Sequence, residues 1–200
     1  MDLGRNDLGL LREVLKMRPR ILKDELVLSD YQKEVLIGLL LGDGCLERSQ
    51  NSLGARLKVS QNIKQNEFVA WLYEVFKYFV QTPPKVKQTQ RNSIRHEEVV
   101  FNTLTHPCFK NFYDMFYPNK KKVIPESIDQ FLTPTALTVW FMSDGSIKSK
   151  QSRGRILNTQ SFLRPDIEKL ICILKSKFNL QSSIRTQKDG LQIYISGKSA

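Results

Sequence analysis

Two apolar runs, each closed by Asp-Gly, constrain this 200-residue chain more than any other feature. The first is Leu36-Ile37-Gly38-Leu39-Leu40-Leu41-Gly42-Asp43-Gly44, and the second is LTVWFMSDG at positions 137–145. Ser29, with Gln32 three residues later, has the spacing of a capping box, which predicts a helix from there to Leu41. Thr133-Pro134 sets a capping hydroxyl and a first-turn proline ahead of the second run. Gly38 and Gly42, four residues apart, share one helix face, where small side chains let a second helix backbone come close. Asp43 and Asp144 stand 101 positions apart. A repeat of that length implies a pseudo-dimer within one chain, not a solenoid.

The segments after each run support the repeat. Residues 56–62 alternate, with Leu57 and Val59 on one side and Arg56, Lys58 and Ser60 on the other, which predicts a strand. Positions 67–79 carry Phe68, Trp71, Leu72, Val75, Phe76 and Phe79 at helical spacing, and that stripe is read as core. Two more strands are predicted at 85–91, with Lys85, Lys87, Thr89 and Arg91 on one face, and at 97–103. A helix near 109–116 and the basic run Asn119-Lys120-Lys121-Lys122 follow. In the second half a strand is predicted at 155–159 and an amphipathic helix at 165–178. A hairpin at 184–195 turns at Asp189-Gly190. Each half therefore reads helix, strand, helix, strands.

Ahead of the repeat, Leu8, Leu11 and Leu15 recur at helical spacing beside Arg12 and Lys16, predicting a basic helical arm over 1–28. The first half is expected over 29–131 and the second over 132–200. Lys122 lies 78 residues beyond Gly44, and the same span from Gly145 runs past Ala200. The second half is thus expected to lack a closing helix and a counterpart of Lys122.

Lysine and arginine exceed acidic residues by 31 to 20, a net charge of +11 that favours a polyanionic partner, most often nucleic acid. Cys45, Cys108 and Cys172 are odd in number and form no CxxC pair. They argue against a disulfide framework or zinc site and for a reducing compartment. The N-terminal residues do not read as a secretory signal, and the apolar stretch at 35–41 is far too short to span a bilayer. His96 and His106 have neither HNH nor zinc spacing.

An aspartate at a helix C-terminus faces the negative end of the helix dipole, at a typical cost of about 0.3–1 kcal/mol. Two of them at equivalent positions, brought to roughly 5 Å, repel by about 3 kcal/mol at an effective dielectric near 20. Divalent cations relieve that repulsion, and hard carboxylates suit Mg²⁺, which also takes phosphate oxygens. Two metals on a scissile phosphate generate the nucleophile and stabilise the leaving oxygen. With alternating basic strands as a groove-sized surface, the pattern points to a metal-dependent nuclease.

The two nine-residue runs resemble the LAGLIDADG motif. Their context strengthens the likeness: Asn119-Lys-Lys-Lys-Val-Ile-Pro125, Phe131-Leu-Thr-Pro134, Trp140-Phe-Met, and Leu157-Asn-Thr-Gln-Ser-Phe162. Together they resemble the single-chain, two-motif homing endonucleases encoded in organellar introns, over roughly residues 29–196. The resemblance implies an α+β fold of two pseudo-symmetric αββαββα-like halves, with saddle-shaped antiparallel sheets around a central motif-helix pair. It implies a monomer that cuts both strands of a long double-stranded DNA site with Mg²⁺ (or Mn²⁺), in a mitochondrion or chloroplast. Asp43 and Asp144 would hold the metals, with the preceding Gly42 and Ser143 in the same sites. Lys122 would lie near the scissile phosphates, and Gln61 and Gln160 would position water. DNA contacts would come from Arg56, Lys58, Ser60, Lys85, Lys87, Thr89 and Arg91, and from Arg153, Arg155, Arg185 and Lys188. Many relatives carry a further acidic residue two positions before the last Asp; Leu41 and Met142 stand there instead. Competing readings are a maturase that binds its host intron RNA, a catalytically weakened DNA-binding remnant, and a basic ribosome-associated protein. The last explains the charge but not the repeat.

Overall fold

The computed structural model describes residues 25–91 and 94–199. The predicted N-terminal arm lies outside them except for residues 25–28, of which Leu28 is buried. The first half runs α1 (Asp30–Leu41), β1 (Cys45–Glu47), β2 (Arg56–Asn62), α2 (Asn66–Phe76), β3 (Lys85–Arg91), β4 (Ile94–Asn102) and α3 (Lys110–Phe116). After a short helix α4 (Ile128–Phe131), the order recurs as α5 (Pro134–Asp144), β5 (Gly145–Ser149), β6 (Ser152–Asn158), α6 (Arg164–Phe178), β7 (Ser182–Gln187) and β8 (Gly190–Ile195). Each half holds one antiparallel four-stranded sheet. The strand orders, β1-β2-β4-β3 and β5-β6-β8-β7, correspond strand for strand.

The centre is the pair α1 and α5. The capping box at Ser29 forms as expected: Gln32 N donates to Ser29 Oγ, and Ser29 N donates to Gln32 Oε1. From Val35 to Leu41 every residue of α1 is buried, so this stretch has no solvent face and belongs inside the molecule. Thr133 Oγ1 accepts from Ala136 N at the start of α5, with Pro134 in the first turn. The helices touch backbone to backbone. A Cβ on Gly38 would lie 2.4 Å from the Ala136 carbonyl oxygen, and one on Gly42 would lie 2.0 Å from Ser143 Oγ. Gly38 also meets Val139, and Gly42 meets Ser143 and Asp144; 139 and 143 are the repeat equivalents of 38 and 42. The two helices therefore cross on the pseudo-twofold relation of the repeat.

Each sheet buries one face. Leu57, Val59, Val99 and Phe101 face the core alongside Phe68, Leu72 and Phe76 of α2; Leu157, Ile193 and Ile195 do the same alongside Leu170 and Leu174 of α6. The opposite faces are left open. Two short strands escaped the sequence pattern. β1 has three residues and β5 is almost wholly polar, so neither shows readable alternation. The glycines after the aspartates also serve a different purpose from a left-handed helix cap. Gly190 is the glycine with positive φ among the described residues. Gly44 is packed against Leu39 and Gly145 against the Phe141 ring, so both positions need space.

Gly38→Ala should destabilise the fold by about 1–3 kcal/mol, since its methyl meets a backbone carbonyl that cannot step aside. Gly42→Ala meets the Ser143 hydroxyl first, with the Cβ atoms of Ser143 and Asp144 at 3.2 Å, so adding Ser143→Ala should recover part of its loss in a denaturant-melt double-mutant cycle. Equal losses without recovery would contradict the close helix crossing.

Candidate active site

The Asp-Gly corners sit where α1 and α5 end. Asp43 follows the C-cap Gly42, whose N–H still donates to the Gly38 and Leu39 carbonyls; Asp144 is the last residue of α5. By solvent exposure Asp43 is open at the surface and Asp144 is half-buried. Burial raises the pKa of Asp43, a shift opposed by the Gln61 hydrogen bond and the Lys122 charge. Burial, and then the charge of Asp43, push Asp144 up to about 7; Asn158 and Lys122 oppose that. The two aspartates thus feel each other through a partly desolvated space, as two like charges sharing a site do.

Lys122 closes the corner from the first half. Its Nζ donates to the carbonyls of Gly42 at 2.7 Å and Gly44 at 2.9 Å, straddling Asp43. It also lies 6.0 Å from the centroid of the Phe162 ring of the second half. Burial lowers its pKa to about 8, while Cys45, Asp43 and Asp144 pull it upward. Gln61, buried at the end of β2, donates from Nε2 to Asp43 Oδ2 at 3.3 Å. Gly42 gives its carbonyl to Lys122, and the buried Ser143 hydroxyl donates to the Trp140 carbonyl.

The second half solves the same problem with a different residue. Gln160 donates to Asp189 Oδ2 at 3.3 Å, at the β7–β8 turn. The donor at Asp144 is Asn158, whose Nδ2 reaches the Asp144 backbone oxygen at 2.9 Å and Oδ1 at 3.1 Å. Asn158 lies in the string Leu157–Phe162 yet is not evident from sequence, because it stands one strand position earlier than Gln61. Gly145 pairs opposite Leu157, while the β1–β2 register carried back from Cys45↔Lys58 sets Gly44 opposite Val59. Asn158 is therefore the equivalent of Ser60, and Thr159 of Gln61.

On the open face of the first sheet, Lys58, Ser60, Lys85, Lys87 and Thr89 line adjoining hollows with Arg56, and Arg91 closes β3. Glu47 on the short β1 binds two of these cations, 2.6 Å from Arg56 Nη2 and 3.0 Å from Lys58 Nζ. Glu98 accepts from Ser60. In the second sheet Arg185 pairs with Gln192, which pairs with Asn158, so all three share the open face. Lys148 joins them, 5.1 Å from the Tyr194 ring centroid, and Lys188 is exposed at the hairpin turn. Arg155 pairs with Ile195 and shares the helix-packed side with Leu157, lining an apolar hollow with Leu137 and Phe141. Period-two alternation places Arg155 there; Arg153, two residues earlier, is exposed.

The family described as LAGLIDADG DNA endonuclease matches residues 33–200. The chain belongs to that family. Relatives include the cytochrome b mRNA maturase bI2 of Debaryomyces hansenii, 30% identical over 183 residues that cover 88% of this chain and 69% of the relative. The DNA endonuclease I-ChuI of Chlamydomonas applanata is 28% identical over 82% of this chain and 81% of its own. The solved structure of the homing endonuclease I-WcaI bound to its DNA recognition sequence superposes with a TM-score of 0.84. It is 28% identical, over 90% of this chain and 81% of that one. The LAGLIDADG architecture expected from the two motifs is thus the architecture observed, with αββαββα in the first half and αββαββ in the described part of the second.

In this LAGLIDADG chain the raised Asp144 pKa carries a stability consequence. A carboxyl that binds its proton more tightly folded than unfolded stabilises at low pH. That contribution is lost as pH climbs from its ordinary value near 3.8 to about 7. Without divalent cation, Asp144→Asn should melt above the parent at about pH 8 and converge on it near about pH 4. Each kcal/mol recovered is worth about 2–4 °C in a chain of this size. A constant difference across that range in calorimetric scans would contradict the coupling.

Proposed function

We propose that the protein is a site-specific, divalent-metal-dependent endonuclease for double-stranded DNA, acting in intron homing. The observation that carries this reading is the pair Asp43 and Asp144, the first exposed and the second half-buried, at the meeting ends of α1 and α5 between two open sheet faces. The donor set fits Mg²⁺ or Mn²⁺, which are commonly held by one or two protein carboxylates together with substrate phosphate oxygens. The Asp43 charge that disfavours ionisation of Asp144 is an excess of negative charge that such a cation would neutralise. When bound, the cation supplies Lewis acidity at the scissile phosphate. The candidate ligand positions are Asp43 and Asp144, with backbone of Gly42 and Ser143 beside them.

The chain's own groups do the rest. Gln61 and Asn158 hold the carboxylates in fixed orientation, so that each strand of a duplex meets one oriented aspartate. Lys122 keeps a cation against the Gly42–Gly44 corner, where it faces a developing phosphate charge. The cations of β2, β3 and the β7–β8 hairpin take up backbone phosphates along a long site. Gln160 has a place beside that hairpin through Asp189. The related I-WcaI was solved on its DNA recognition sequence, which supports the duplex as substrate. We further propose a monomer, since both aspartates come from one chain, and an organellar host, since a relative is named as a cytochrome b mRNA maturase.

The maturase relative favours a second reading, in which the same basic faces hold the host intron RNA. One experiment separates them. Purified protein, with and without Mg²⁺, is given duplex DNA spanning its gene's insertion site and, separately, the intron transcript. Metal-dependent double-strand cleavage is expected, abolished by Asp43→Asn or Asp144→Asn with binding retained. Full cleavage by either variant would sink the assignment, and tighter binding of the transcript with no DNA cleavage would favour the maturase.

A further inference from the structure

The two catalytic halves hold their aspartates by unequal means, and the difference isolates one residue on the open face. Among the described residues Asp43 receives one amide bond, from Gln61, at 3.3 Å. Asp144 is held by both oxygens that Asn158 can reach, and Asn158 is itself held: Gln192 Nε2 donates to Asn158 Oδ1 at 2.7 Å. With its Oδ1 accepting from Gln192, the Asn158 amide has one orientation in which Nδ2 faces Asp144, and a flip would set donor against donor. At the equivalent strand positions in the first half stand Ser60 and Val100, where no such chain forms. Gln192 is half-exposed on β8, directly paired with Arg185, on the side of the sheet left open by the core.

We propose that Gln192 is a positioning residue of the second catalytic half, fixing Asp144 through Asn158 and linking that carboxylate to whatever lies on the β6–β8 face. The proposal rests on the endonuclease reading for its substrate. A duplex seated on this face meets Gln192 and Arg185 side by side. Contact that tightens Gln192 against Asn158 tightens Asp144 as well, whereas Asp43 is held by Gln61 on the buried side of β2, away from the open face. Cutting of the strand served by Asp144 is therefore tied to correct seating on the second sheet. The other strand is not tied in this way.

Three variants test this. Gln192→Glu keeps the shape and removes the donor, Gln192→Leu removes both polar atoms, and Gln192→Lys restores a donor within reach of Asn158. Single-turnover rates are measured for each strand separately on a duplex containing the insertion site, with DNA affinity measured alongside. For Glu and Leu, one strand should slow by roughly 10-fold or more, the usual scale for losing a group that orients a metal ligand. The other strand and the affinity should be nearly unchanged, nicked product should accumulate, and Lys should recover much of the rate. A second measurement needs no DNA: the side-chain amide protons of Asn158, followed by ¹⁵N NMR, should exchange faster in Glu and Leu than in the parent. If the parent cuts no DNA but this exchange quickens, the endonuclease reading fails while the hold on Asp144 stands. Equal slowing of both strands, a loss explained by affinity alone, or unchanged amide exchange would each overturn the proposal.

Discussion

The backbone contact between α1 and α5 organises the molecule. Helices packed through large side chains lie 8–10 Å apart, and these two come closer because Gly38 and Gly42 present no side chain at the crossing. The contact does two things at once. It buries two segments with no polar face of their own, Val35–Leu41 on one side and Ala136, Val139 and Trp140 on the other. It also brings the helix C-termini together, and with them Asp43 and Asp144. The sheets hang from this pair, since β1 and β5 start within two residues of each aspartate.

That geometry loads the site electrostatically. Two carboxylates are placed at the negative ends of two helices, in partial desolvation and near each other, so each disfavours the charge of the other. Lys122 offsets part of this from one side only, bridging the carbonyls on either side of Asp43 and standing over Phe162. Amide donors supply the remaining support. The pseudo-symmetry of the backbone is thus dressed by asymmetric side chains: Gln61 on the core side of β2, Asn158 with Gln192 on the open side of β6 and β8.

Much of this was legible in the residues. The apolar runs, their caps and the Gly38/Gly42 face follow from local rules, because each is set by neighbours in sequence, and the 101-residue repeat of the two aspartates shows on comparing two such local patterns. Lys122 and Gln61 were legible through the family likeness, and the structure brings both to Asp43. Long-range register was not legible. Asn158 reaches Asp144 from one strand position earlier on β6 than Gln61 occupies on β2, and Gln160 bonds Asp189 instead. Gln192 depends on β8 lying beside β6, which no spacing announces. Arg155 was placed by charge where alternation with Leu157 would have sent it to the helix side. Glu47 sits on a strand too short to show a period, so its hold on Arg56 and Lys58 emerges only in three dimensions.

Native-state hydrogen exchange tests most directly whether the α1–α5 contact is the shared centre of both halves. Amides over Val35–Leu41 and over the buried residues of α5 should be the slowest in the protein. They should exchange at one common free energy that matches global unfolding, with their dependence on denaturant identical. If one of the two helices exchanged through a lower-energy opening while the other stayed protected, the halves would be separable units, and the contact would not be what holds fold and site together.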